Sequence, residues 1–140
     1  MEVTSVIARV EHIRVAELQP RMVRPVFERA GIDWAAFLEE GVEVSRLLEA
    51  GDPISIKVAR AAVMANRPVG EGDDLRVYHR HIRAANICMK GSRDFFRDNN
   101  LSWPEFLDKG IAVAVLEEIG NPIALRAAAQ AIAEEALNGR

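Results

Sequence analysis

Apolar positions along the chain fall in short runs of helical spacing, closed by glycines and opened by prolines. Ile7, Val10, Ile13 and Leu18 predict a first helix that stops before Pro20. The run Val3 to Ile7 reads either as a short strand or as the start of that helix, capped by Thr4 or Ser5; the spacing favours helix. Pro20 suits the first turn of a second helix, Pro25 starts or kinks it, and Gly31 stops it. Asp33 caps WAAFLEE, which puts Trp34, Phe37 and Leu38 on one face and ends at Gly41. Val44, Leu47 and Leu48 stripe a shorter helix that ends at Gly51. Asp52 and Pro53 open a longer one to about Asn66, with Ile54, Val58, Ala61 and Ala62 on one face.

Residues 67–74 break the periodicity with glycines, a proline and acids, and read as a linker. The pattern then returns. LRVYHRHIRAAN gives a helix, Met89 to Ser92 a turn, and Ser92 a cap for RDFFRDN, which Asn99-Asn100 ends in left-handed geometry. Ser102 caps a helix with Pro104 near its start and Gly110 at its end. A further apolar run ends at Gly120, and Asn121-Pro122 opens a last helix to about Leu137.

Residues 12–65 align with 81–134 without a gap, at an offset of 69, and one position in three is identical. The identities fall where local physics is demanding. Trp34/Trp103, Phe37/Phe106 and Leu38/Leu107 are apolar anchors; Gly41/Gly110 and Gly51/Gly120 are helix ends; Pro53/Pro122 open helices. Unrelated helical stretches share a period, not every cap and stop. The fold expected is all-α: a tandem duplication of a unit of about four short helices, at 1–66 and 75–140, with the two units packed together.

Composition adds bounds. At 140 residues and 49% hydrophobic, the chain can bury a core, although one unit alone would be marginal. A net charge of −3 argues against general nucleic-acid binding while leaving room for a local basic patch. The single cysteine, Cys88, excludes an internal disulfide and makes a reducing compartment the expectation. The first residues carry charges too often for a secretory signal, and no apolar run reaches membrane-spanning length.

Candidate chemistry is sparse. His79 and His81 point apart at i,i+2 on a helix, so no metal pair is expected; His12 and His81 read as polar contacts near helix starts. Cys88, among Ile87 and Met89, reads as a buried small hydrophobe rather than a nucleophile, despite Lys90 and Arg93 nearby. The acid pairs Glu39-Glu40, Glu117-Glu118 and Glu134-Glu135 are expected to face water. No phosphate-binding, zinc-protease or serine-hydrolase motif occurs, so no enzyme, cofactor or metal is expected.

Charge is uneven. Arg76, Arg80, Arg83, Lys90, Arg93 and Arg97 face only Asp94 in their segment, whereas residues 98–140 are acidic. That segment is the candidate interaction surface, for a protein, an acidic face of another copy, or nucleic acid. As would-be recognition helices, the one after Pro53 offers Lys57, Arg60 and Arg67. The one after Pro122 offers Arg126 and is mostly alanine, with too few base-reading side chains.

The run from His81 to Ala128 resembles a group of small helical proteins encoded in tailed-phage and prophage genomes. It carries His81-Arg83-Ala84-Ala85, Cys88, Gly91, Arg93, Phe95-Phe96, Trp103, Phe106-Leu107, Gly110-Ile111 and Gly120. Ser102 and Asn121-Pro122 depart from the pattern, and the first unit has Gln19 and Met22 where Cys and Gly would stand. The resemblance implies a non-enzymatic structural or assembly protein of a tailed bacteriophage, as a virion, head-tail or tail component. Its partners would be other phage proteins or copies of itself, with no membrane. It would reside in the host cytoplasm during synthesis and then in a particle. The alternative is a small DNA-binding or regulatory module using residues 76–97.

Overall fold

The computed structural model describes residues 6–65 and 75–138, with side chains to Leu137. The linker reading of 67–74, the Thr4 or Ser5 cap and Arg67 lie outside the described residues. Ten helices hold most of the described chain, and two minimal strand pairs accompany them. The chain divides into two compact units, Met1–Glu71 with Ile132–Arg140, and Gly72–Ala131.

The first half runs β1 (Ile7–Ala8), α1 (Val10–Val15), α2 (Pro20–Arg29), α3 (Trp34–Glu40), β2 (Val42–Glu43), α4 (Val44–Ala50) and α5 (Pro53–Ala65). This corrects the sequence expectation twice: there are five helices rather than about four, and Ile7–Ala8 is a strand rather than helix. Its partner lies far along the chain, where local spacing cannot reveal it. Ile7 pairs with Glu43 and Ala8 with Val42, antiparallel, and Ala8 is fully buried. The helix starts only after Arg9, which is extended.

His12 sets that start. Its Nδ1 accepts the Arg9 amide at 2.8 Å, while its own amide donates to the Arg9 carbonyl at 2.9 Å. One orphan donor of the first turn is thereby satisfied. Burial pushes the His12 pKa below its ordinary 6.5. The turn into α2 closes with the Leu18 amide on the Ile13 carbonyl at 3.0 Å and Glu17 in left-handed conformation, φ 62°. Pro25 sits inside α2, where it offers no N–H to the Arg21 carbonyl.

Helix α5 is the centre of this unit: it touches α1, α2, α4 and β1. Its small and branched side chains, Ile56, Val58, Ala59 and Ala62, permit that close approach and are buried. Asp52 opens it by accepting the Ser55 amide at 2.7 Å and hydroxyl at 2.8 Å. Phe27, Phe37 and Trp34 form an aromatic cluster, with Phe27 and Phe37 edge-on at 5.1 Å.

The second half runs β3 (Arg76–Val77), α6 (His79–Ala84), α7 (Met89–Asp98), α8 (Trp103–Lys109), β4 (Ile111–Ala112), α9 (Val113–Ile119) and α10 (Pro122–Asn138). Arg76 pairs with Ala112 and Val77 with Ile111. His81 Nδ1 accepts the Tyr78 amide at 2.8 Å. Ser102 caps α8 through the Glu105 amide, and Asn121 caps α10 through the Ala124 amide. The expected Ser92 cap is not there: α7 begins at Met89, and Ser92 is a buried residue inside it. Its hydroxyl donates to the Cys88 carbonyl at 3.0 Å, which gives the buried hydroxyl a partner but satisfies no amide of the first turn. Asn100, φ 59°, supplies the left-handed position after α7. Phe95, Phe96, Phe106, Leu116 and Ala127 surround a small interior cavity of about 10 Å³.

Candidate functional site

Side chains on the third helix of each half face two ways. On α3, Phe37 is buried and Trp34 half-buried, whereas Leu38 is 50% exposed. On α8, Phe106 is buried and Trp103 half-buried, whereas Leu107 is 52% exposed. Leu38 and Leu107 are therefore not core anchors. Each follows the buried phenylalanine by one residue, about 100° around the helix, and lies four residues beyond the tryptophan on its outer flank. Acids continue both tips, Glu39 and Glu40 after Leu38, and Asp108 after Leu107; all are exposed.

The six basic residues of the second half do different jobs. Arg76 is a brace: its Nε donates to the Lys109 carbonyl at 2.9 Å and its Nη2 to the Gly110 carbonyl at 3.1 Å. It holds the end of α8 to β3. Arg80 lies over the Tyr78 ring, 5.2 Å from its centroid. Lys90 and Arg97 flank Asp94 at 3.2 and 3.1 Å, and Lys90 in particular holds that carboxyl below its usual range. Arg83 and Arg93 are exposed and have no ion pair among the described residues. Residues 76–97 thus do not form one uniform cationic face.

Sequence reasoning passed over a shallow surface groove in the first half. Pro20, Arg21, Arg24, Pro25, Glu28 and Trp34 line an open groove of about 430 Å³ between α2 and α3. Arg24 is held by Glu28 at 3.1 Å; Arg21 has no partner among the described residues. The signal was available: Arg21 and Lys90, and Arg24 and Arg93, are cations at the same offset of 69. So is the leucine at each exposed tip.

Other candidates are placed as follows. Cys88 is exposed, which corrects its reading as a buried hydrophobe. It stands at the N-cap of α7, and the Gly91 amide, then that of Lys90, lowers its thiol pKa. Its neighbours Ile87 and Met89 misled, because a cap position turns its side chain outward. Glu117 was expected in water and is only 4% exposed, among the buried residues of α9. Glu39, Glu40 and Glu118 are exposed, and Glu134 and Glu135 half-buried. His79 packs edge-on at 6.4 Å from Trp103. Among the described residues no three groups could hold a metal ion. No described helix is long and apolar enough to cross a membrane. Lys57 and Arg60 are half-buried on α5, most of whose other side chains are buried. Arg126 on α10 donates to the Ala85 carbonyl at 2.5 Å. Comparison with protein-family models, curated proteins and solved structures gives no match.

Proposed function

We propose that this chain is a tandemly duplicated, non-enzymatic assembly protein of a tailed bacteriophage that works through protein–protein contacts. The observation that carries the contact reading is the pair of exposed leucines, Leu38 and Leu107, at 50% and 52% exposure in the same register of the two halves. A leucine that a helix does not need for its core, kept outward twice beside a half-buried tryptophan, fits a contact that is made elsewhere. The phage setting rests on the resemblance of residues 81–128.

Support for duplication comes from element order and length. Strand, helices of 6, 10 and 7 residues, strand, and a 7-residue helix recur in that order in both halves. Gly41 and Gly110 share φ 78° and 74°, and Gly51 and Gly120 share 74° and 73°.

Peptide mass spectrometry of phage particles purified after induction of the source strain tests the reading. The protein is expected in particles or in an assembly intermediate; finding it only among free proteins would overturn the proposal. The DNA-binding alternative draws on Arg83 and Arg93, the exposed cations without ion-pair partners among the described residues. It requires a gel shift whose affinity falls steeply with salt.

A further inference from the structure

We propose that the first-unit groove receives the tip of α8 from a second copy of the chain. The inference rests on the protein-contact reading and names the partner. The groove offers apolar walls from Pro20, Pro25 and Trp34, the unpaired cation of Arg21, and the Arg24–Glu28 pair at 3.1 Å. Its occupant should therefore bring an apolar side chain and a carboxylate, with a cation tolerated on one side. The end of α8 presents that set in three consecutive exposed residues, Leu107, Asp108 and Lys109. Leu107 would enter against Trp34 and the prolines, Asp108 would meet Arg21, and Lys109 would stand toward Glu28.

Three observations select this occupant. Asp108, like Arg21, has no ion pair among the described residues, so neither has to abandon a partner. The α8 tip is braced by Arg76 through the Lys109 and Gly110 carbonyls, so little ordering cost remains for docking. The matching tip of α3 carries Leu38 with two acids and no cation, and α3 already supplies Trp34 as a wall of the groove. At about 430 Å³ the groove has room for a leucine side chain and a carboxylate. Apolar contact is essential, because exposed ion pairs alone are worth little.

Groove and tip are different surfaces of one chain, so two copies can exchange tips as a closed pair, or copies can link head to tail in a longer series. Sedimentation of the full chain over a range of concentrations, at low and at moderate salt, should show association, to a dimer or beyond, that salt weakens. Leu107→Glu destroys the tip and Arg21→Glu the groove, both at exposed positions. Each variant should sediment at the monomer mass of 15.5 kDa with helical circular dichroism unchanged. Mixed together they should pair and stop at a dimer, because one intact groove and one intact tip remain. Wild-type protein that stays monomeric at every concentration overturns the inference, and so do variants that associate like wild type or a mixture that does not pair. A monomer that still enters phage particles would refute this contact while leaving the assembly reading standing; absence from particles would refute the assembly reading itself.

Discussion

Replacing Gly41 or Gly110 with alanine should cost several times more than the same change at Gly51 or Gly120, although all four have φ between 73° and 78°. Gly51 and Gly120 close α4 and α9 in left-handed geometry, with ψ of 1° and 7°. A Cβ there would come no nearer to other atoms than 3.8 Å at Gly51 and 3.5 Å at Gly120. Alanine in that conformation costs about 1–2 kcal/mol. Its stiffer unfolded chain returns about 0.4–1 kcal/mol, for a net near 1. Gly41 and Gly110 differ, with ψ of −172° and −173°, a region that only glycine visits freely and that costs another residue about 1–3 kcal/mol. A Cβ on Gly41 would lie 2.6 Å from Ile7 Cγ2 and 2.7 Å from the Ala8 carbonyl oxygen; on Gly110, 2.7 Å from the Tyr78 ring and the Val77 carbonyl oxygen. Those carbonyls belong to β1 and β3, so relief requires a strand to move, at about 1–3 kcal/mol more. The expected loss, after the same return of about 0.4–1 kcal/mol from the unfolded chain, is about 1–5 kcal/mol and centres near 3. Urea denaturation followed by far-ultraviolet circular dichroism measures it, with Trp34 and Trp103 fluorescence reporting one tryptophan in each half. A Gly41→Ala loss within about 1 kcal/mol of that for Gly51→Ala would refute the reasoning.

Other expectations follow from single contacts. Burial lowers the His12 pKa, so its contribution is complete above its ordinary 6.5 and is lost as pH falls through the lower folded value; His12→Gln should flatten that slope in urea midpoints taken from about pH 8 to 5. Glu17→Gly should raise stability by about 0.5–1 kcal/mol, because a side chain at φ 62° is strained, and an unchanged or lower urea midpoint would contradict this. Phe37→Ala should cost about 3–5 kcal/mol and Leu38→Ser less than about 0.5, read by thermal melting; equal losses would mean that Leu38 is a core residue after all.

Much of the fold was legible because it is punctuated locally. Asp33, Asp52, Ser102 and Asn121 each cap the helix expected of them, and Gly41, Gly51, Gly110 and Gly120 end theirs. The strand pairs were illegible for the opposite reason: two residues carry no period, and each partner lies beyond three helices. Position around a helix was the other weak point. Leu38 and Leu107 were placed on the face of Trp34 and Trp103, but a one-residue step from Phe37 or Phe106 turns them outward. Cys88 and Glu117 show that neighbours in sequence do not fix exposure, since a cap faces water and a mid-helix acid can face the core. The groove is hard to read from the sequence because the density of charge lies at 76–97. Its own charges are fewer, and Pro20, Pro25 and Trp34 come together only after α2 and α3 have folded.

Pairing of Ile7 with Glu43, and of Arg76 with Ala112, also sets an order of events in time. Each two-residue ladder can close only after three intervening helices have brought its strands together, since an open loop of that length has a large closure entropy and the ladder returns few bonds. The ladders should therefore form after the folding barrier. A substitution that weakens one, such as Ala8→Gly, should speed unfolding and leave the refolding rate almost unchanged in stopped-flow measurements. Slower refolding would place the strands inside the nucleus. In kinetic terms β1–β2 and β3–β4 are latches: they contribute little to finding the fold and more to how long it persists.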